Sequence, residues 1–158
     1  MKKKVYIVRH ARAMDAENDH ERPLTAAGLE KTRELAAELL RNQCRIDAIY
    51  ASDALRTRQT AESVADGIGF PPERIRYEAG LYLTSEEAYF DVLLSLDEEV
   101  REVMMVGHNP EVSNLFHFFL PDFTSYMQTG ACACLSFEAD SWQTIFTAPH
   151  QLDFYFKA

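Results

Sequence analysis

At 158 residues the chain has the length of one domain, enough to bury about two-thirds of its unfolded surface in a single core. Its apolar share of 47% and charged share of 26% are those of an ordinary globular protein and exclude a disordered or low-complexity segment. The net charge of −9 excludes a general nucleic-acid binder, so any anion site must be a local basic pocket in an acidic protein.

The first element is Val5-Tyr6-Ile7-Val8, a short apolar run that reads as a buried central strand and ends in Arg9-His10. In open α/β sheets ligands gather at the carboxyl ends of strands, which places this pair where chemistry is usually done. The same pair interrupts the apolar run after Met1-Lys2-Lys3-Lys4, so the N-terminus is not expected to be a signal peptide. Residues 11–23 are polar and without period and read as a loop, with Pro23 holding Arg22 extended. Thr25 is a good N-cap, and Leu29, Leu35, Ala36, Leu39 and Leu40 predict one apolar helix face up to about Asn42. Gly28 falls in the first turn, where its helix penalty is smallest.

Ile46–Ala51 reads as a second buried strand. Ser52-Asp53 offers N-cap candidates for a helix over about 54–66, stopped by Gly67-Ile68-Gly69 and Pro71-Pro72. Arg56 in its first turn again puts a cation just past a strand's end. Arg74–Tyr77 suggests a short strand, and a helix starting at Thr84 or Ser85 carries Phe90, Leu93, Leu94 and Leu96. Val103–Val106 is another buried strand, followed by Gly107-His108-Asn109-Pro110 and a helix through Val112, Leu115, Phe116 and Phe119. Gly107 suits a tight turn and Pro110 the first helical position. Ala131–Phe137 and Trp142–Phe146 read as a closing strand pair. This alternation predicts a three-layer α/β/α sandwich around a mostly parallel sheet, in a single domain over 1–158.

Three strand-to-helix junctions thus carry Arg9-His10, Arg56 and His108. Guanidinium forks match phosphoryl oxygens bidentately and stay charged. Phosphoryl transfer asks mainly for positioning and charge stabilisation. An imidazole inside such a pocket can act as nucleophile and split hydrolysis into two displacements, while a second imidazole donates to the oxygens.

Val8-Arg9-His10-Ala11 resembles the Arg-His-Gly signature of the histidine phosphatase superfamily, the phosphoglycerate mutase-like proteins. Ser52–Ala61 resembles its second-arginine segment, and Gly107-His108-Asn109-Pro110 its second-histidine turn. Arg22-Pro23-Leu24-Thr25 and Gly130-Ala131-Cys132-Ala133 are similar to the SixA-like branch, the phosphohistidine phosphatases. The resemblance implies that His10 is phosphorylated, that Arg9 and Arg56 clamp the phosphate, and that His108 completes the pocket. It also makes Arg22 an additional basic substrate-binding residue on the loop over the site. Ala11 stands where the family usually has Gly, and its Cβ would crowd the phosphate or strain the backbone if φ were positive.

A general acid is harder to find. Glu78 is the nearest candidate by order, with Glu86 and Glu87 behind it, and none lies in a motif. An imidazole leaving group relaxes that need, which favours phosphohistidine over sugar phosphates. The expected activity is metal-independent hydrolysis of phosphohistidine on a phosphotransfer (HPt-type) protein in signal transduction, without cofactor or metal. The alternatives are a small-molecule phosphate-ester phosphatase and a catalytically degenerate phosphate-binding module.

Cys44, Cys132 and Cys134 are odd in number and lack a C-x-x-C, which points to a reducing cytoplasm without disulfides or zinc. No nucleic-acid or membrane partner is expected, and the sequence leaves oligomeric state and physiological substrate open. His20, His117 and His150 have no partner at metal-ligand spacing. Phe116, Phe118, Phe119 and Phe123 form a patch expected to be mostly core, with part of it free as a docking face.

Overall fold

The structure, a computed structural model, describes residues 2–157. The strands are β1 (Lys2–Arg9), β2 (Ala48–Ser52), β3 (Arg76–Glu78), β4 (Glu102–Gly107), β5 (Cys132–Glu138) and β6 (His150–Phe156). The helices are α1 (Ala26–Arg41), α2 (Leu55–Ile68), α3 (Glu86–Leu94) and α4 (Glu111–Phe119), with 3-10 turns at Asp19–Glu21, Pro72–Arg74, Ala79–Leu81 and Trp142–Thr147. The six strands form one sheet in the order β3-β2-β4-β1-β5-β6. β1 and β2 both run parallel to β4, and β3 runs parallel to β2, while β5 pairs antiparallel with β1 and with β6.

Alternation along β1 explains the layers. Val5 and Ile7 point to one face, where they join Met105, Leu115, Phe116 and Trp142 under α3 and α4. Tyr6 and Val8 point to the other, against Leu35, Leu39 and Val64 of α1 and α2. A strand buried on both faces must be apolar at every position, and Val5–Val8 meets that demand. The expected α/β/α sandwich is the one that forms. Lys3 is also buried: its ammonium donates to the carbonyls of Glu98 and Val100 and lies over the Trp142 ring.

Several local expectations change. Trp142–Phe146 is not a strand but a 3-10 turn, and the closing strand is β6. The reason is the spacing of its buried residues: Trp142 and Ile145 lie three apart, as a 3-10 turn requires, and Ser141 caps it by accepting from the Gln143 amide. On α1, Leu40 is exposed and Thr32 is buried instead, bonded to the Ser63 hydroxyl of α2. The N-cap of α2 is Ala54, not Ser52 or Asp53, and Pro110 caps α4 from outside rather than opening it. Of the aromatic patch, Phe116 and Phe119 are core, whereas Phe118 is exposed with its ring against Phe90 and Phe146.

Two glycines have tertiary reasons. A Cβ on Gly28 would run into the Arg12 backbone carbonyl, and one on Gly107 into the Tyr89 hydroxyl. Both mark close packing around the loops that follow β1 and β4, rather than a helix penalty or a turn.

Candidate active site

With β4 between β1 and β2, the carboxyl ends of all three strands lie side by side, and Arg9 is in register with Gly107. A cavity of about 470 Å³ opens there, and Arg9, His10, Arg22, Arg56 and His108 all line it. The junctions picked out in the sequence therefore meet in one place.

His10 is 7% exposed and locked by its own backbone. Its amide donates to the Gly107 carbonyl at 3.0 Å, and its Nδ1 donates to the Ala11 carbonyl at 2.7 Å. A carbonyl can only accept, so Nδ1 carries the proton and Nε2 keeps a free lone pair. Burial, with lesser help from His108, Arg56 and Arg9, pushes the imidazole down to about 3, so the ring is neutral at physiological pH. A neutral ring with a free Nε2 is the form a nucleophile needs.

Ala11 is wholly buried, is absent from the cavity lining and has no left-handed backbone, so its methyl group neither fills the anion site nor strains the chain. Its amide donates to Thr60 Oγ1 at 3.0 Å, and that hydroxyl donates to the Arg56 carbonyl at 2.7 Å. The end of β1 is thereby tied to the first turn of α2. Gly130, in the left-handed region at φ 81°, sends its amide to the carbonyls of Arg9 and His10.

Arg9 is anchored by Nη1 donating to the Met127 carbonyl at 3.1 Å, a carbonyl that also accepts from Asn109 Nδ2 at 2.9 Å. Burial and the like charge of Arg56 pull its pKa down. Arg56, 6% exposed, donates Nη1 to the Asp19 carbonyl at 2.8 Å and Nη2 to Asp19 Oδ2 at 3.1 Å. The Tyr82 hydroxyl donates to the same oxygen at 2.7 Å, and Arg22 reaches Oδ1 at 3.4 Å. The Tyr82 bond first, then Arg56 and Arg22, hold this carboxylate down to about 2. Arg22 is further fixed by Nε donating to the Met14 carbonyl.

His108 pairs its Nε2 with the Ser52 hydroxyl at 2.8 Å, and Ser52 also accepts from the Ala54 amide. Burial, then the charge of Arg56, brings this imidazole down to about 4. The His10 and His108 rings lie 5.4 Å apart, and Tyr82 sits edge-on to His108.

Buried polar atoms are nearly always bonded, and each one left unpaired costs about 1–3 kcal/mol. Among the described residues four buried side-chain atoms have no protein partner, and three are Arg9 Nε, Arg56 Nε and His108 Nδ1. The three belong to groups around one cavity, and an oxyanion is the ligand that would satisfy them together. The fourth, Glu111 Oε2, lies in the first turn of α4, where the helix dipole favours an anion.

Glu78 does not join this group. It ends β3 opposite Ser52 and lines a separate hollow with Arg76 and Asp91. His20 pairs with Asp53, His117 bonds the Ser125 carbonyl, and His150 bonds the Phe119 carbonyl. Asp19, Tyr82, Ser52 and Thr60 were missed in the sequence, because each acts through a partner distant in the chain. In the sequence Ser52 stands only as a cap candidate just past the Ile46–Ala51 strand, and Thr60 only as a member of the second-arginine segment. Among the described residues no group of three or more His, Cys, Asp or Glu side chains is placed to hold a metal ion, and no helix is long and apolar enough to cross a membrane.

Comparison with known proteins shows what the chain is similar to. The family model for the histidine phosphatase superfamily (branch 1) matches residues 5–81. The phosphohistidine phosphatase SixA of Escherichia coli (strain K12) is 33% identical over 133 residues, 79% of this chain and 79% of that one. A solved protein histidine phosphatase SixA complexed with tungstate superposes with a TM-score of 0.81 at 25% identity, over 98% of this chain and 96% of its own. The structure of a Nakamurella multipartitia protein assigned as phosphohistidine phosphatase SixA gives 0.82 at 25% identity, over 99% and 96%. More distant is the mycobacterial glucosyl-3-phosphoglycerate phosphatase, which shares the fold at 14% identity with a TM-score of 0.70. The chain belongs to the histidine phosphatase superfamily, in its SixA-like branch, and is a phosphatase.

Proposed function

We propose that this protein removes the phosphoryl group from phosphohistidine on an HPt-type phosphotransfer protein, through a phospho-His10 intermediate and without metal or cofactor. The observation that carries the reading is the convergence of a neutral imidazole, free at Nε2, with unpaired nitrogens on Arg9, Arg56 and His108. A solved SixA relative is complexed with tungstate, a tetrahedral oxyanion, which supports an oxyanion as the kind of ligand taken here.

In the first step His10 Nε2 forms a bond to phosphorus as the bond from phosphorus to the substrate imidazole breaks. The electron pair of that bond goes to the departing nitrogen, and the substrate ring, protonated at its other nitrogen before transfer, leaves as neutral imidazole. Arg9 and Arg56 hold the charge on the equatorial oxygens, and His108 Nδ1 donates to one of them while Ser52 donates to Nε2. In the second step water attacks phosphorus, the bond to His10 Nε2 breaks with its electron pair returning to that nitrogen, and phosphate leaves carrying both protons of the water as dihydrogen phosphate.

The leaving group supports this substrate class. Imidazole titrates near neutral pH and departs without a strong acid, whereas an alkoxide needs one. The carboxylate beside the clamp arginine is Asp19, and with a pKa held down to about 2 it is an anion rather than a donor. The three thiols are free, and burial pushes those of Cys132 and Cys134 up, which fits the reducing cytoplasm in which we place the protein.

The test compares phosphate release from a phosphohistidine-bearing HPt domain and from an aryl phosphate ester, with intact-mass detection of the phospho-enzyme. Fast release from the HPt domain, a trapped phospho-enzyme and poor ester turnover are expected. Dominant ester turnover would replace the reading by a small-molecule phosphatase, and silence on both by a binding module.

A further inference from the structure

The side chains that line the cleft are basic although the chain as a whole is acidic. Beside the anion cavity lies a second groove of about 420 Å³, and the two share Arg9, Arg12 and Thr129 as walls. The groove adds Lys31 from α1 and the amide side chain of Gln128. Among the described residues neither lining contains an Asp or Glu, although the chain carries 25 of them against 16 Lys and Arg.

The groove is built rather than incidental. The Arg12 carbonyl accepts from the Thr25 amide at 2.9 Å and packs on Gly28, which pins the loop after β1 to the first turns of α1. Arg12 and Lys31 therefore face one opening from two fixed backbones. No carboxylate of the described residues lies within ion-pair distance of the Arg12 guanidinium, and Lys31 leans on Glu34 at 3.6 Å, a loose helical pair that a second carboxylate can share.

We propose that this groove is an anion subsite that takes an Asp or Glu side chain of the phosphorylated protein, next to its phosphohistidine. The inference rests on the phosphohistidine reading above and narrows it to partners with an acidic flank. In an acidic enzyme such a rim does two jobs. It draws a like-charged protein in through a face where Arg9, Arg12 and Lys31 gather, and it selects the orientation that delivers phosphorus to His10.

The experiment uses three phosphohistidine peptides of equal length whose flanking residues are Glu, Gln or Lys, with phosphoramidate as the small substrate, on wild type, Lys31→Glu and Lys31→Gln. Wild type is expected to prefer the Glu peptide in kcat/KM, and raising ionic strength to erase the preference. Lys31→Glu should lower kcat/KM for the Glu peptide by roughly three- to tenfold, with Lys31→Gln between, and leave phosphoramidate turnover unchanged. Equal values for the three peptides in wild type, or an equal loss on all of them in Lys31→Glu, would overturn the subsite.

Titration calorimetry of the same peptides with His10→Ala, or KM in wild type if that variant does not fold, reads the groove without turnover. Charge-dependent binding without hydrolysis of any phosphoramidate would sink the phosphohistidine reading and keep the subsite. Hydrolysis without charge dependence would do the reverse.

Discussion

The two halves of the anion cleft are held in different ways. Arg9 and His10 end a central strand whose Val5–Val8 segment is wholly buried, and their groups are fixed by main-chain carbonyls of Met127, Gly107 and Ala11. Arg56 rests on Asp19, a half-exposed residue of the polar loop, and Asp19 in turn is held by Tyr82 and Arg22. One half is set by the sheet. The other is set by Asp19 through its main-chain carbonyl and its half-exposed carboxylate, and a phosphoryl dianion can compete with that carboxylate for the Arg56 guanidinium. Nucleophile placement needs rigidity, since small misplacements cost much rate, whereas admission and release of a charged ligand need a contact that exchanges.

The largest expected effect breaks the rigid half. His10→Ala should lower kcat on phosphohistidine by about four orders of magnitude or more and remove the phospho-enzyme from the mass spectrum. Next comes acid. The unfolded chain binds protons on both imidazoles below the ordinary histidine value of 6.5, while folded His10 and His108 stay neutral to about 3 and about 4. The unfolded state therefore holds more protons in that window and stability rises with pH through it. The contribution is fully present above pH 6.5 and is lost as pH falls toward 4 and 3, on the order of 3–5 kcal/mol for each ring. Denaturant titrations at pH 7, 5.5 and 4 measure it, and His10→Gln should remove about one proton from the slope.

Gly28→Ala attacks the seam where α1 meets the base of the loop, because its methyl group would displace the Arg12 carbonyl. A loss of about 1–3 kcal/mol, or on the order of 5 °C in Tm, is expected from thermal melts. Ser52→Ala leaves the cleft in place and frees the His108 tautomer, so kcat should fall by about tenfold while KM moves little. The smallest effect belongs to the exchanging half: Asp19→Asn should change KM by about two- to fivefold, because its ion pairs are half exposed and screened. If Asp19→Asn instead matched His10→Ala, the distinction between the two halves would be wrong.

Composition, period and motif order were enough for the layers, for α1 from Ala26 to Arg41, and for the meeting of Arg9, His10, Arg56 and His108. Each of these depends on residues near in sequence: a run buried on both faces, a cap, a cation or imidazole just past a strand. The errors came where a local pattern has two readings. Trp142 and Ile145 suit a strand by residue type and a 3-10 turn by spacing, and burial under α3 chose the turn. Glu78 follows the right element in order, yet it lines a hollow with Arg76 and Asp91 and not the cavity of His10.

What the sequence by itself determined is the sheet's core and which junctions carry cations and imidazoles, because strand burial and side-chain charge are properties of neighbouring residues. Only the tertiary structure decided which nitrogen of His10 is free, that Asp19 and Tyr82 hold Arg56, that Ser52 reaches His108, and that Arg12 and Lys31 share a groove. Those are pairings of residues 19 to 63 positions apart, or the choice of one ring nitrogen by one carbonyl, and no local period records them.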